Sequence, residues 1–501
     1  MDTKKDFKVL LFYPNQSLLG IAPTHLAILS ACLKQAGFIT KLFDCSIYKS
    51  KTETNDDVRT KLGHVKKTNI ENYFKGKTEN IYEDFVKTIN DYQPDLIGIS
   101  VIDSTIFFSL DFLKLIKDKK IPVVFGGVGA TFAYERILKS GLVDYVCIGE
   151  GEETIVELAT NIMENKDCSK IKNIYTIKDG GIVKNPLRAL VDINKTPMPD
   201  FSIYENYRFY RPFSGKVVRV MPIDTDRGCP WWCTYCAAPA IKNLCKAENI
   251  GRYYRVKKYD KIFDEIKYLV KEFDIDYLSF FSETFTALSR KDFKDFAIRY
   301  KKEVGLPFFC QSRLDTLTEE KTKLLAEMGC KSIAVGLEHG SERIRKELLD
   351  KRLSNIQIIS AFKELAKYDI IPVINCMIGL PDETREEVFE TIGLTKKAFE
   401  ILKGKCHLNV FTFIPFSGTQ LRNLSIEKGY ITGEEDIPIS FFDRSILNMP
   451  TMNKDEIYGL EKTFVLYVTL PESYYLDIKI AEKNNEEGQM MFEKLMRIGK
   501  E

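Results

Sequence analysis

The chain has 501 residues, of which 44% are apolar and 29% charged, and a formal net charge of +2. That length exceeds one ordinary core and predicts two or three domains, while the near-neutral balance argues against a surface built for the phosphate backbone, so nucleic acid is not an expected partner. Twelve cysteines, no signal-like apolar core and no stretch near the roughly 20 apolar residues of a membrane span predict a cytoplasmic protein with reduced thiols.

Residues 8–12 form a short apolar run, long enough for a buried strand, and Pro23 to Ala36 repeats apolar residues at helical spacing until Gly37 closes the helix. The pattern recurs. Strands are predicted at 39–43, 96–101, 123–125 and 145–148, with helices at 81–92, 107–117, 132–140 and 153–164. This alternation predicts a doubly wound parallel sheet of the flavodoxin-like kind over residues 1–170. Ser46 to Glu79 is a charged interruption, read as a surface insertion.

Ligands on such sheets lie beyond the carboxyl ends of the strands. Ser100, Asp103 and Ser104 fall there after the third strand, Gly126, Gly127, Gly129 and Thr131 after the fourth, and Gly149, Glu150 and Gly151 after the fifth. Glycines at these ends let a ligand approach the backbone, although tight strand-to-helix turns need glycine in any case. Residues 171–215 change character. Asp179-Gly180-Gly181 is a hairpin turn, and Pro186, Pro197, Pro199 and Pro212 mark an extended linker.

Cys229, Cys233 and Cys236 then follow an alternating run, Val218 to Asp224, that reads as a strand. Disulfides among cysteines this close would be strained, and zinc usually takes four ligands from paired Cys-x2-Cys units. Three thiolates on one loop suit a [4Fe–4S] cluster, with one iron left open to a small molecule. The other nine cysteines are scattered and read as small buried hydrophobes, with Cys245 the nearest to the loop.

Behind the loop, strands are predicted at 277–281, 308–310, 332–335, 373–378 and 408–413. With the strand before the cysteines these make a partial (β/α)6 barrel over 216–422, followed by a mostly helical region at 423–501. Polar residues fall at the strand ends: Glu283 after the second, Arg313 after the third, Glu338, His339 and Ser341 after the fourth, and Gly379 at the end of the fifth. Pro415 follows the sixth. An arginine placed like Arg313 suits a carboxylate. Each of these residues also has a plainer reading as the cap of the next helix.

The cysteine loop, with its strand and the ordered polar ends behind it, resembles the radical S-adenosylmethionine (SAM) superfamily. The glycine-rich first domain resembles the cobalamin-binding domain that precedes the barrel in one large subfamily, that of the class B methyltransferases. The resemblance implies that Cys229, Cys233 and Cys236 hold the cluster, whose open iron binds SAM and whose electron cleaves it to a 5′-deoxyadenosyl radical. It implies SAM contacts at Glu283 (the amine), Arg313 (the carboxylate), Glu338 and Ser341 (the ribose turn), Gly379 (the adenine segment) and Pro415. Cobalamin contacts are expected at Ser17, Ser100, Gly126, Gly127, Thr131, Gly149 and Glu150. Asn15 to Gly20 departs from the histidine-bearing loop of cobalt-ligating domains, so cobalamin is expected without a histidine ligand; His25, nearby, reads as a helix-face residue. A domain that keeps the fold and binds nothing is the rival reading.

The implied function is methylation of an unactivated carbon in a small-molecule, natural-product, lipid or peptide substrate, with a flavodoxin- or ferredoxin-type electron donor. A radical cyclisation or rearrangement without methyl transfer is the alternative. A transfer-RNA methylthiotransferase would need a second cluster on three N-terminal cysteines, and Cys32, Cys45 and Cys147 lie on separate elements.

Overall fold

A computed structural model describes residues 6–16, 20–48, 58, 60–62, 68, 70–213, 216–438 and 444–499. The first sheet contains β1 (Lys8–Tyr13), β2 (Ile39–Asp44), β3 (Leu96–Ser100), β4 (Val123–Gly126), β5 (Tyr145–Cys147), β6 (Ile174–Lys178) and β7 (Gly181–Lys184). Its order is β2-β1-β3-β4-β5-β6-β7. The first five strands pair in parallel, the flavodoxin-like arrangement expected from the alternation. β1 and β3 are buried almost throughout because helices cover both faces.

The hairpin β6–β7 extends that sheet in antiparallel fashion. The segment expected as an extended linker thus opens with the hairpin read at Asp179-Gly180-Gly181, and β6 pairs with the edge of β5, whose backbone groups would otherwise be unpaired. The rest of the segment is packed as well. Arg208 is fully buried, reaching the Gly20 carbonyl at 3.0 Å, Ser46 Oγ at 2.8 Å and Asp44 Oδ2 at 3.2 Å.

The second sheet has β8 (Tyr210–Phe213), β9 (Lys216–Ile223), β12 (Tyr277–Phe280), β13 (Phe308–Ser312), β14 (Cys330–Glu338), β15 (Ile371–Ile378) and β16 (His407–Thr412). Two short strands, β10 (Asp226–Arg227) and β11 (Arg255–Val256), pair apart from it. From β9 to β16 the six long strands run parallel in chain order, with β8 antiparallel on the outer edge, so the barrel is open. Helix Lys454–Thr469 starts on a capping box, Asn453 with Glu456, and packs its apolar stripe on β16. No helix among the described residues is long and apolar enough to cross a membrane.

Candidate active site

The strand β9 delivers the chain to Gly228, whose φ of +90° lets the loop double back. A Cβ there would stand 2.7 Å from the Tyr253 carbonyl oxygen. Cys229, Cys233 and Cys236 then line one cavity of about 350 Å³, shared with Glu283, Arg313 and Glu338. That volume falls in the range of small-molecule sites. Cys236 also sits at the N-terminus of helix Ala237–Ala247, and its Sγ accepts the Ala238 N–H at 3.4 Å. The positive end of that helix favours an anion at this point. Burial pushes the Cys229 thiol up to about 11 and the Cys236 thiol up to about 12. Loading a metal centre here must therefore release protons.

Among the described residues no three His, Cys, Asp or Glu side chains converge on a point fit for a single metal ion. A cubane cluster takes one thiolate per iron, so its ligands need not converge that tightly, and the cysteine set fits a cluster better than zinc.

Glu283 lies past β12, keeps accessible surface on the cavity side and has no protein hydrogen-bond partner among the described residues, yet the protein packed around it displaces enough water to raise its pKa. It caps no helix, because Thr284 holds that place. Such a carboxylate suits a cationic group. Arg313 lines the cavity as well. Its guanidinium grips Asp315 at 3.0 and 2.8 Å, donates to Cys233 Sγ at 3.4 Å and lies 4.8 Å from the Trp231 ring centre. These contacts hold it against the cysteine loop, at the cavity wall.

Glu338 takes a left-handed φ of 63°, a conformation costing roughly 1–2 kcal/mol for a side chain of this kind. Its Oε1 accepts from Lys351 Nζ at 2.7 Å and from Tyr235 Oη at 2.9 Å. Ser341, Gly379 and Pro415 stand outside the cavity lining. The Ser341 N–H donates to His339 Nδ1 at 3.0 Å, Gly379 packs under Ile457 with its N–H on Glu383, and the Pro415 carbonyl accepts from Arg422 at 2.8 Å. His339 is fully buried and bonded to Glu383 at 2.7 Å. These residues hold the β14 and β15 turns together, and the neighbours of Pro415, Ile414 and Phe416, reach the cavity. Lys351 and Tyr235 went unsuspected. Lys351 stands thirteen positions beyond Glu338, past a π-helical turn at Ile344–Leu348, and nothing marks it among the chain's many lysines.

At the first sheet, Ser17 lies outside the described residues. Ser100 Oγ bonds His25 Nε2 at 2.9 Å. His25 keeps accessible surface, yet protein surrounds it, and that burial with the Arg227 charge draws its pKa down to about 4. Gly127 and Gly129 are required by backbone contact: added Cβ atoms would lie 2.7 Å from the Val101 oxygen and 2.6 Å from the Ile102 carbonyl carbon. Thr131 is committed to the Gly127 carbonyl at 3.0 Å and the Gly149 N–H at 3.1 Å. Gly126 and Gly149 leave the strand ends open, and Ile102, Phe107 and Val128 expose apolar surface beside them. Glycine cradles flanked by exposed apolar side chains fit a large planar ligand such as a corrin.

Glu150 is engaged by protein groups. Its carboxylate receives Arg227 at 3.0 Å, Arg255 and the Val191 N–H at 2.8 Å. Burial alone would raise its pKa, but the two guanidiniums more than offset that and hold it below the usual range. Arg227 immediately precedes the cysteine loop and also pairs with Glu152 at 2.7 Å. On the other side of the seam, Asp103 accepts the Ser417 N–H, and Gly418 lies against the Phe132 ring. The carboxyl ends of both sheets therefore face one seam.

The sequence pattern of the Radical SAM superfamily matches residues 224–395, and that of the B12 binding domain matches residues 21–159. The chain carries a radical SAM domain and, ahead of it, a B12-binding domain. Its cofactors are accordingly a [4Fe–4S] cluster, SAM and cobalamin. It is 28% identical over 321 residues to an uncharacterised methyltransferase of Pyrococcus horikoshii, 63% of this chain and 67% of that one. An anaerobic magnesium-protoporphyrin IX monomethyl ester cyclase of Rubrivivax gelatinosus is 27% identical over 333 residues, 64% of this chain and only 57% of the cyclase. Cytidylyl-2-hydroxyethylphosphonate methyltransferase of Streptomyces wedmorensis is 24% identical over 512 residues, 92% of this chain and 90% of the relative. Among solved structures, the cobalamin-dependent radical enzyme OxsB, with aqua-cobalamin and SAM bound, superposes with a TM-score of 0.65 at 16% identity. That match covers 98% of this chain and 71% of OxsB, and it speaks for the fold alone.

Proposed function

We propose that this radical SAM protein methylates an unactivated carbon of a small-molecule substrate in the cytoplasm, drawing electrons from an external flavodoxin- or ferredoxin-type donor. The observation that carries the reading is the shared seam. Glu150 and Glu152 beyond β5 grip Arg227 beside the cysteine loop, and Asp103 beyond β3 meets Ser417 beyond β16. Groups held on the two sets of strand ends would face each other across it.

When bound, the cluster and SAM supply a reductively generated 5′-deoxyadenosyl radical, and cobalamin supplies a transferable methyl group. The chain's own residues have simpler tasks. Cys229, Cys233 and Cys236 would ligate three irons. Glu283 would take the SAM amine and Glu338 a ribose hydroxyl, each by a charge-assisted bond. Trp231, with Arg313 over its face, walls the cysteine side of the cavity. Ser100, Gly126 and Gly149 would meet the corrin, with His25 held neutral nearby.

The cyclase among the relatives keeps the second reading, radical ring formation, in play. The two separate without a known substrate. Reconstituted protein supplied with reductant, SAM and hydroxocobalamin should release both 5′-deoxyadenosine and S-adenosylhomocysteine. Release of 5′-deoxyadenosine alone, with cobalamin retained, overturns methyl transfer in favour of the cyclase-like reading.

A further inference from the structure

The carboxylate of Glu338 is held by two donors that converge on the same oxygen. Tyr235 lies inside the cysteine loop, between Cys233 and Cys236, and its hydroxyl donates to Glu338 Oε1 at 2.9 Å. Lys351 donates to the same oxygen at 2.7 Å and to the Gly336 carbonyl at 2.8 Å. Its side chain is 3% exposed, so the ammonium is sheltered and its contacts are with protein. All three side chains line the cavity. Gly336 completes the arrangement by having no side chain: a Cβ there would overlap Glu338 Oε1 and come within 2.6 Å of Lys351 Nζ.

We propose that Lys351 and Tyr235 are positioning residues that fix the carboxylate of Glu338 for the ribose of SAM and tie that acid to the cysteine loop. The inference rests on the SAM reading above. A carboxylate oxygen already accepting two bonds is an unattractive third partner, so the remaining oxygen, Oε2, is the one offered to a ligand hydroxyl. The ammonium offsets the carboxylate's charge, which lowers the cost of keeping an acid in a sheltered left-handed turn. Because Tyr235 belongs to the loop that carries the cysteines, the same bond sets the distance between cluster and ribose sites. Neither residue is assigned any chemical step.

The test reads binding, not turnover. SAM and its 2′-deoxy and 3′-deoxy analogues are titrated into the cluster-loaded protein, with iron content measured in each variant. The parent should prefer SAM over at least one analogue by on the order of tenfold, the worth of a charge-assisted hydrogen bond. Lys351→Met should lose most of that preference while binding the deoxy analogue as the parent does, with iron unchanged. Tyr235→Phe removes one oxygen only and should show the same pattern more weakly, which covers the case in which Lys351→Met fails to fold. A residue that only supports the fold would weaken SAM and both analogues alike. Variants that retain the parent's preference overturn the positioning role alone. A parent without preference for any ribose hydroxyl overturns the ribose assignment of Glu338, and the positioning role with it.

Discussion

Replacing Glu150 by glutamine tests whether this residue ties the two domains together or contacts cobalamin. In the protein its carboxylate meets Arg227 at 3.0 Å, Arg255 Nη1 at 3.2 Å and the Val191 N–H at 2.8 Å. The three side chains are 14%, 27% and 18% exposed, sheltered enough that solvent screens the pairs only in part. Removing one partner of a buried pair costs about 3–5 kcal/mol. Glutamine keeps one acceptor, Arg227 keeps Glu152 at 2.7 Å, and Arg255 keeps the Val191 carbonyl at 2.7 Å, so a loss of roughly 1–3 kcal/mol is expected. Urea denaturation of the full-length protein, followed by a probe in each domain, should show a lower midpoint for the variant. The Glu150 pKa is depressed, so its contribution is present above the unfolded value of 4.5 and fades as pH falls through the lower folded value. The gap between parent and variant should therefore narrow in acid. Cobalamin retention should be nearly unchanged. Equal midpoints at neutral pH, or lost cobalamin without lost stability, would refute the interdomain assignment.

The Cys229/Cys233/Cys236→Ala triple variant should lose about four irons on anaerobic reconstitution, together with the broad thiolate-to-iron absorption; full iron retention counts against the cluster assignment. Glu283→Gln should weaken SAM binding by roughly ten- to a hundredfold with iron intact, since no cysteine is touched; unchanged affinity would mean the amine lies elsewhere. Asp226 is buried beside Ser282 and Thr225, and burial pushes its pKa up to about 6 from 3.8. A raised carboxyl pKa means that stability is lost as pH climbs from 3.8 to 6, by no more than about 3 kcal/mol. Asp226→Asn should therefore be more stable than the metal-free parent at pH 7 and comparable at pH 4. A constant difference across that range would show that the charge is not the cause.

What the sequence determined by itself is what depends on local pattern. Strand β1, the helix Ile81–Tyr92 and the six barrel strands lie close to where apolar periodicity puts them, because a stripe or run of apolar residues has one way to be buried. The cysteine spacing is local too, and three thiols on one turn have few other uses. What only the tertiary structure decided concerns side chains with more than one partner available. Arg313 and Glu150 both sit at the predicted strand ends, but the fold brings Cys233 to Arg313 from 80 residues away, beside the local Asp315, and brings Arg227 and Arg255 to Glu150 from 77 and 105 residues away. Thr131 and Gly127 are spent on the packing of neighbouring turns. Lys351 reaches Glu338 only because the chain after β14 folds back over it. Such pairings depend on long-range geometry, since a charge in a sheltered seam takes whichever partner the fold brings within reach.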